Sequence, residues 1–89
     1  MCQDFDKYYN AIYNSNIMDK DSLLNLIKNM RISLSVSQAE MAKRVGISTS
    51  FYGMIERGER TLSFEHFCQI ANAFDITPID LLMILERKD

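Results

Sequence analysis

The amino-acid sequence predicts an all-α fold, and three observations support this prediction. The 89 residues include one proline and three glycines, fewer than a sandwich or barrel with many turns would need. Apolar residues recur at spacings of three and four, which is the helical period. Capping residues stand directly before several of these apolar segments. Because this length suffices for one compact unit, residues 1–89 are expected to form a single domain.

Residues 1–20 are predicted to form an N-terminal helical extension. Asp4 is a suitable cap, and an aromatic face follows at i, i+3, i+4, i+7 and i+8. This face could pack on the core of its own chain or reach a second subunit, and the sequence leaves both open. The residues of the face are Phe5, Tyr8, Tyr9, Ile12 and Tyr13.

The next helix is predicted from about Asp21 or Ser22 to about Leu34. Arg31 lies beside its apolar face, where a charge needs a partner because an unpaired buried charge is costly. The expected buried face consists of Leu23, Ile27, Met30 and Leu34.

Two short helices separated by a glycine turn come next. Ser37 can cap the first, with Glu40 as its capping-box partner, and Gly46 can end it in a left-handed conformation. Ser48 can cap the second, which Gly58 ends. This arrangement predicts a helix-turn-helix unit. Its inward residues are expected to be Met41, Ala42, Val45, Tyr52 and Ile55.

The last helix should begin with Thr77 as cap, Pro78 at the first position and Asp80 as box partner. It is apolar on every side, so one face would be exposed in a monomer and is expected to be a subunit interface. The interface residues predicted at i, i+3, i+4 and i+7 are Ile79, Leu82, Met83 and Glu86, with Leu82 expected to serve the core.

Charge and composition narrow the function classes. The net charge is −2, but residues 22–60 carry six basic against three acidic side chains, and acidic residues predominate on both sides. This distribution suits a protein that holds DNA with its middle and another subunit with its ends. Cys2 and Cys68 lie in no metal-binding pattern, so no metal or cofactor is expected. The sequence shows no phosphate loop or telling carboxylate pair, which argues against an enzyme.

Neither a membrane span nor a signal peptide is expected. No apolar run approaches the roughly 20 residues that a bilayer requires. The polar, acidic beginning of the chain is unlike a signal peptide. The protein is therefore expected in the cytoplasm.

Several segments resemble the Cro/repressor-type helix-turn-helix family, also called the XRE family. The resemblance covers roughly residues 22–85 and rests on residues 27–31 (IKNMR), 37–42 (SQAEMA), 45–48 (VGIS), 52–58 (YGMIERG) and 70–74 (IANAF). Residues 57–63 (RGERTLS) also resemble restriction–modification controller proteins. The sequence departs from the family at Ser35, often glycine there, and at Ile79, often polar.

The family resemblance implies a five-helix domain whose third helix lies in the major groove of double-stranded DNA. The transcriptional regulator is expected to act as a homodimer on an inverted-repeat operator, because one recognition helix contacts too few base pairs to find a site alone. A protein-interaction module on the same fold, such as an antitoxin or scaffold, is the alternative. The resemblance also implies that Arg31 and Glu56 form a salt bridge that locks the recognition helix to the scaffold.

Two sets of DNA-binding residues are expected, one for phosphates and one for bases. Free N–H groups at helix starts suit phosphates. The resemblance implies that Gln38 hydrogen-bonds a phosphate with cations flanking it, although those cations could instead be solvated surface. The expected phosphate contacts are Ser37, Gln38, Lys43, Ser48, Arg57 and Arg60. The expected base contacts are Thr49, Ser50, Phe51, Gly53 and Met54.

The predicted base contacts suggest modest specificity, because no Arg, Asn or Gln is among them. Hydroxyls at Thr49 and Ser50 can read several bases, and Phe51 and Met54 can touch thymine methyl groups. Phe51 could instead pack partly on its own domain.

Overall fold

The computed structural model describes residues 7, 9 and 20–87. The range 20–87 contains five helices and no strand: α1 (Lys20–Ser33), α2 (Gln38–Val45), α3 (Thr49–Glu56), α4 (Phe64–Ala73) and α5 (Pro78–Arg87). This confirms the predicted all-α class and the five-helix domain. Helices α1, α2 and α3 lie close to their expected boundaries, and α5 begins at Pro78 as expected.

Side-chain caps begin four of these helices. The hydroxyls of Ser37, Ser48 and Ser63 each accept a hydrogen bond from the backbone N–H three residues on, at 3.0–3.2 Å. At α5 the capping box is complete, because Asp80 N–H donates to Thr77 Oγ1 and Thr77 N–H donates to Asp80 Oδ2. The predicted box at Ser37 is only half formed. The carboxylate of Glu40 accepts instead from Arg44 Nε, at 3.2 Å.

Four turns between helices use a residue with positive φ. Gly46 (92°) and Gly58 (79°) were predicted there, whereas Ser35 (58°) and Asp75 (64°) adopt the same left-handed conformation without being glycine. At Ser35 the backbone bonds are those of a Schellman motif. Val36 N–H donates to Arg31 C=O at 3.1 Å, and Ser35 N–H donates to Ile32 C=O at 2.9 Å.

The substitution Ser35→Gly is expected to raise the free energy of unfolding by about 0.5–1 kcal/mol. A left-handed conformation costs an L residue about 1–2 kcal/mol, and the greater chain entropy of unfolded glycine offsets part of that gain. Urea unfolding should show a higher midpoint at an unchanged slope. Ser33→Gly is the matched control, because Ser33 is the last residue of α1 and glycine there should destabilise the helix. Equal destabilisation of both variants would contradict this account.

The core lies between the two short helices and the longer helices around them. Helix α2 packs against α3 and α4, and α1 packs against α3 and α5. The predicted inward residues Met41, Ala42, Val45, Tyr52 and Ile55 are all buried.

The expected buried face of α1 is correct at Leu23 and Ile27 but wrong at Leu34, which is 56% exposed. Helix α1 ends at Ser33, so Leu34 already belongs to the turn and no longer follows the helical face. Leu24 and Leu26 are buried in addition.

Tyr9 places at least one residue of the N-terminal extension in the core of its own chain. Its hydroxyl donates to the carbonyl of Leu62 at 3.0 Å. Its ring packs against Phe64 and Phe67, with centroid separations of 5.4 and 4.7 Å. The other aromatic-face residues, Phe5, Tyr8, Ile12 and Tyr13, lie outside the described residues.

No single helix within residues 20–87 is long and apolar enough to cross a membrane. Helices α4 and α5 reach the required length and composition only as a pair, and the pair is bent by 90°.

Candidate nucleic-acid interface

The carboxylate of Glu56 connects three helices at the end of α3. Arg31 from α1 donates to both of its oxygens, from Nε at 2.7 Å and from Nη2 at 3.1 Å. Tyr52, one turn earlier in α3, donates from its hydroxyl at 2.6 Å, and Gln38 from α2 donates at 2.9 Å. The expected salt bridge is therefore present, and it is part of a larger network.

Burial and hydrogen bonding have opposite effects on the pKa of Glu56. Burial alone favours a protonated Glu56, but the hydrogen bonds from Arg31, Tyr52 and Gln38 outweigh it and lower the pKa of the carboxyl. The hydrogen bond to Glu56 raises the pKa of Arg31. Both residues are only 8% exposed, so this is a buried, hydrogen-bonded ion pair.

Gln38 and Tyr52 have roles in the network that sequence reasoning did not assign. Gln38 was expected at a phosphate, which stays a prediction, and its amide Nε2 also donates to Glu56. Tyr52 was expected only as an inward residue of the helix-turn-helix unit. Its position four residues before Glu56 was the signal for the hydrogen bond, since residues i and i+4 are neighbours on a helix.

The outward face of α3 is smaller than predicted. Thr49 and Ser50 are exposed, and Phe51 and Met54 are half-buried. The expected outward position of Gly53 is wrong, because this residue is buried. A Cβ atom there would lie 3.0 Å from Arg57 Nη1 and 3.6 Å from Gln38 Oε1. Glycine at this position makes room for those two side chains beside α3.

The cations predicted at phosphates differ in their contacts within the domain. Arg57 donates to Glu59 from Nε at 2.9 Å and Nη2 at 3.3 Å, and this hydrogen bonding raises the pKa of Arg57. The Cζ atom of Arg60 lies over the ring of Phe51, 5.4 Å from its centroid. Lys43 is exposed on α2.

Helix α5 carries the predicted apolar outer face in part. Ile79 is 53% and Met83 is 42% exposed, and Ile84 beside them is also exposed. Leu82 does not belong to this surface: it is 8% exposed and lies in the core, because it shares the inward side of α5 with Leu81. The side chain of Glu86 lies outside the described residues.

A metal site was not expected from the sequence. Among the described side chains, no group of three His, Cys, Asp or Glu residues is arranged to hold a metal ion.

Comparison with known proteins identifies the domain. A family model described as helix-turn-helix matches residues 27–82, which is more than half of the chain. No curated protein matches the chain with significance. The matched range includes α2 and α3 with the Gly46 turn between them, and the Arg31–Glu56 pair that fixes α3 to α1. The chain therefore belongs to the XRE family of DNA-binding helix-turn-helix transcriptional regulators.

Proposed function

We propose that the protein is a cytoplasmic regulator that binds an inverted-repeat operator as a homodimer, with α3 in the major groove. The observation that carries the proposal is the start of α3. Its N-cap Ser48 and the adjacent Thr49 and Ser50 are exposed, so hydroxyls and the positive end of the helix dipole are available together. This surface suits the phosphate backbone and the base edges of the groove.

Phosphate contacts are assigned to the helix starts and to exposed cations. Ser37 and Ser48 begin α2 and α3 and keep their hydroxyl protons available, since each oxygen serves as an acceptor in its cap. Lys43 and Arg60 supply charge. The charge of Arg57 is already paired with Glu59, and Gln38 would have to use its second amide N–H, so both are weaker candidates.

Base contacts are assigned to Thr49, Ser50 and Met54, whose side chains are at least partly exposed on α3. Phe51 is also partly exposed, but its ring contacts His66 and Arg60. Hydroxyl groups accept and donate, and a thioether can contact a thymine methyl group. Contacts of this kind discriminate bases weakly, so DNA shape should contribute to site choice.

Selection of bound sequences from a random pool of double-stranded DNA tests the proposed function directly. An enriched inverted repeat with half-site centres about 10 bp apart would support a two-fold dimer. Failure to enrich any sequence, together with no mobility shift on the pool, would overturn the proposal. The protein-interaction module would then be the better interpretation of the fold.

The substitution Arg60→Ala is expected to weaken binding to all sequences alike. Loss of one phosphate contact should reduce the slope of log affinity against log salt concentration by about one unit. Arg44→Ala is the control, because Arg44 is exposed on α2 and already paired with Glu40 at 3.2 Å. Fluorescence anisotropy across a salt series measures both. A slope that stays the same in Arg60→Ala would exclude Arg60 from the phosphate contacts.

A further inference from the structure

The contact between Phe51 and Arg60 gives Phe51 a role different from base reading. We infer that Phe51 positions the Arg60 guanidinium for a DNA phosphate, an inference that rests on the proposed function. The 5.4 Å from Arg60 Cζ to the ring centroid lies within the roughly 6 Å over which a cation is attracted to an aromatic face.

Among the described residues, Arg60 is one of the cations that the domain leaves available for an external anion. Its neighbour Glu59 is engaged by Arg57, which holds that carboxylate with two hydrogen bonds. Among the described side chains, Arg60 is the arginine without a carboxylate within 4 Å. The others pair with a glutamate at 3.2 Å or less, namely Arg31, Arg44 and Arg57.

The ring of Phe51 is itself held in place by α4. The imidazole of His66 meets it at a centroid separation of 5.2 Å and an angle of 80°. His66 is fixed in turn at the first turn of α4, where its Nδ1 lies 3.1 Å from Ser63 Oγ. Phe51 is half-buried between these groups. A ring packed in this way is a rigid support for Arg60 and has less surface left for a base edge.

A cation–π contact positions a guanidinium without using its N–H groups in a hydrogen bond. The donors of Arg60 therefore remain available for two parallel hydrogen bonds to a phosphate. Holding the long side chain near its bound position also reduces the conformational entropy lost on binding. Phe51 thereby contributes to affinity for every sequence rather than to the choice among sequences.

A double-mutant cycle with Phe51→Leu, Arg60→Ala and the combined variant tests this inference. Phe51→Leu is expected to weaken binding about two- to fivefold on every sequence, the range for an exposed cation–π contact. The same substitution should have almost no further effect in the Arg60→Ala background. Phe51→Tyr retains the ring and should restore wild-type affinity and salt slope. Thermal melts confirm that each variant is folded.

Two results would overturn the inference while leaving the proposed function intact. The first is additive losses from Phe51→Leu and Arg60→Ala. The second is a changed base preference of Phe51→Leu at an unaltered salt slope, which would make Phe51 a base-reading residue. If the wild type retains no sequence from the pool, the proposed function fails and this inference fails with it.

A measurement on the free protein tests the contact between Phe51 and Arg60 separately from DNA binding. In the free protein, the ring current of Phe51 should shift the Arg60 side-chain proton resonances upfield. Phe51→Leu should abolish that shift and Phe51→Tyr should keep it. Absence of the shift in the wild type would overturn the positioning role irrespective of DNA binding.

Discussion

Replacing Glu56 by alanine is expected to lower the free energy of unfolding by about 3–5 kcal/mol, the cost of removing one partner of a buried ion pair. The variant leaves the Arg31 guanidinium buried without its counter-ion and removes the acceptor of Tyr52 and Gln38. For a domain of this size the melting temperature should fall by at least about 12 °C. Such a loss is a large part of the stability of a small domain.

Circular dichroism melts measure this effect, and Glu59→Ala is the matched control. Glu59 also pairs with an arginine, at 2.9 Å, but both side chains are more than half exposed. Solvent screens such a pair, so its loss should leave the melting temperature nearly unchanged. If Glu56→Ala and Glu59→Ala melt at the same temperature, the Glu56 network does not stabilise the domain.

The same network predicts a pH dependence. The folded state lowers the pKa of Glu56, so the carboxylate stabilises the fold above its ordinary titration range. That stabilisation is lost as the pH falls through the lowered folded value, because protonation removes the negative charge that pairs with Arg31. The wild type should therefore lose more stability on acidification than Glu56→Ala does.

The parts of the fold that sequence predicted well are those fixed by neighbouring residues. Ser37, Ser48 and Thr77 cap helices where expected, because a cap depends on a side chain and an N–H only three residues apart. Gly46 ends α2 for a similarly local reason. The Arg31–Glu56 pair spans 25 residues and was predictable only through the family resemblance.

The contacts that the sequence did not specify are those between helices. Helical spacing alone placed Gly53 on the outward face of α3. Spacing does not show that Gln38 from α2 and Arg57 at the end of α3 cover this position. The amide of Gln38 turned inward because Glu56 offered a buried acceptor. Phe51 packs against α4, a contact between residues 15 positions apart that no local pattern indicates.

Charging the outer face of α5 is expected to convert the proposed dimer into a folded monomer. Ile79 and Met83 lie one helical turn apart and are 53% and 42% exposed, whereas Leu82 between them faces the core. The double substitution Ile79→Asp with Met83→Asp therefore places two negative charges from each subunit in the proposed interface and leaves the core unchanged. Binding should fall to the non-specific level, about a thousandfold or more below that of the wild type.

Ile32 and Leu34 provide the matched control, because they are also exposed apolar residues, at 53% and 56%, in the last turn of α1 and directly after it. Ile32→Asp with Leu34→Asp should sediment as a dimer and keep operator binding. Analytical ultracentrifugation at micromolar concentration measures assembly, and mobility shifts on the selected operator measure binding. One subunit offers too few contacts, each worth about 1–3 kcal/mol of discrimination, to find a site in a genome. A wild type that sediments as a monomer and binds its operator as one subunit would therefore refute the dimer.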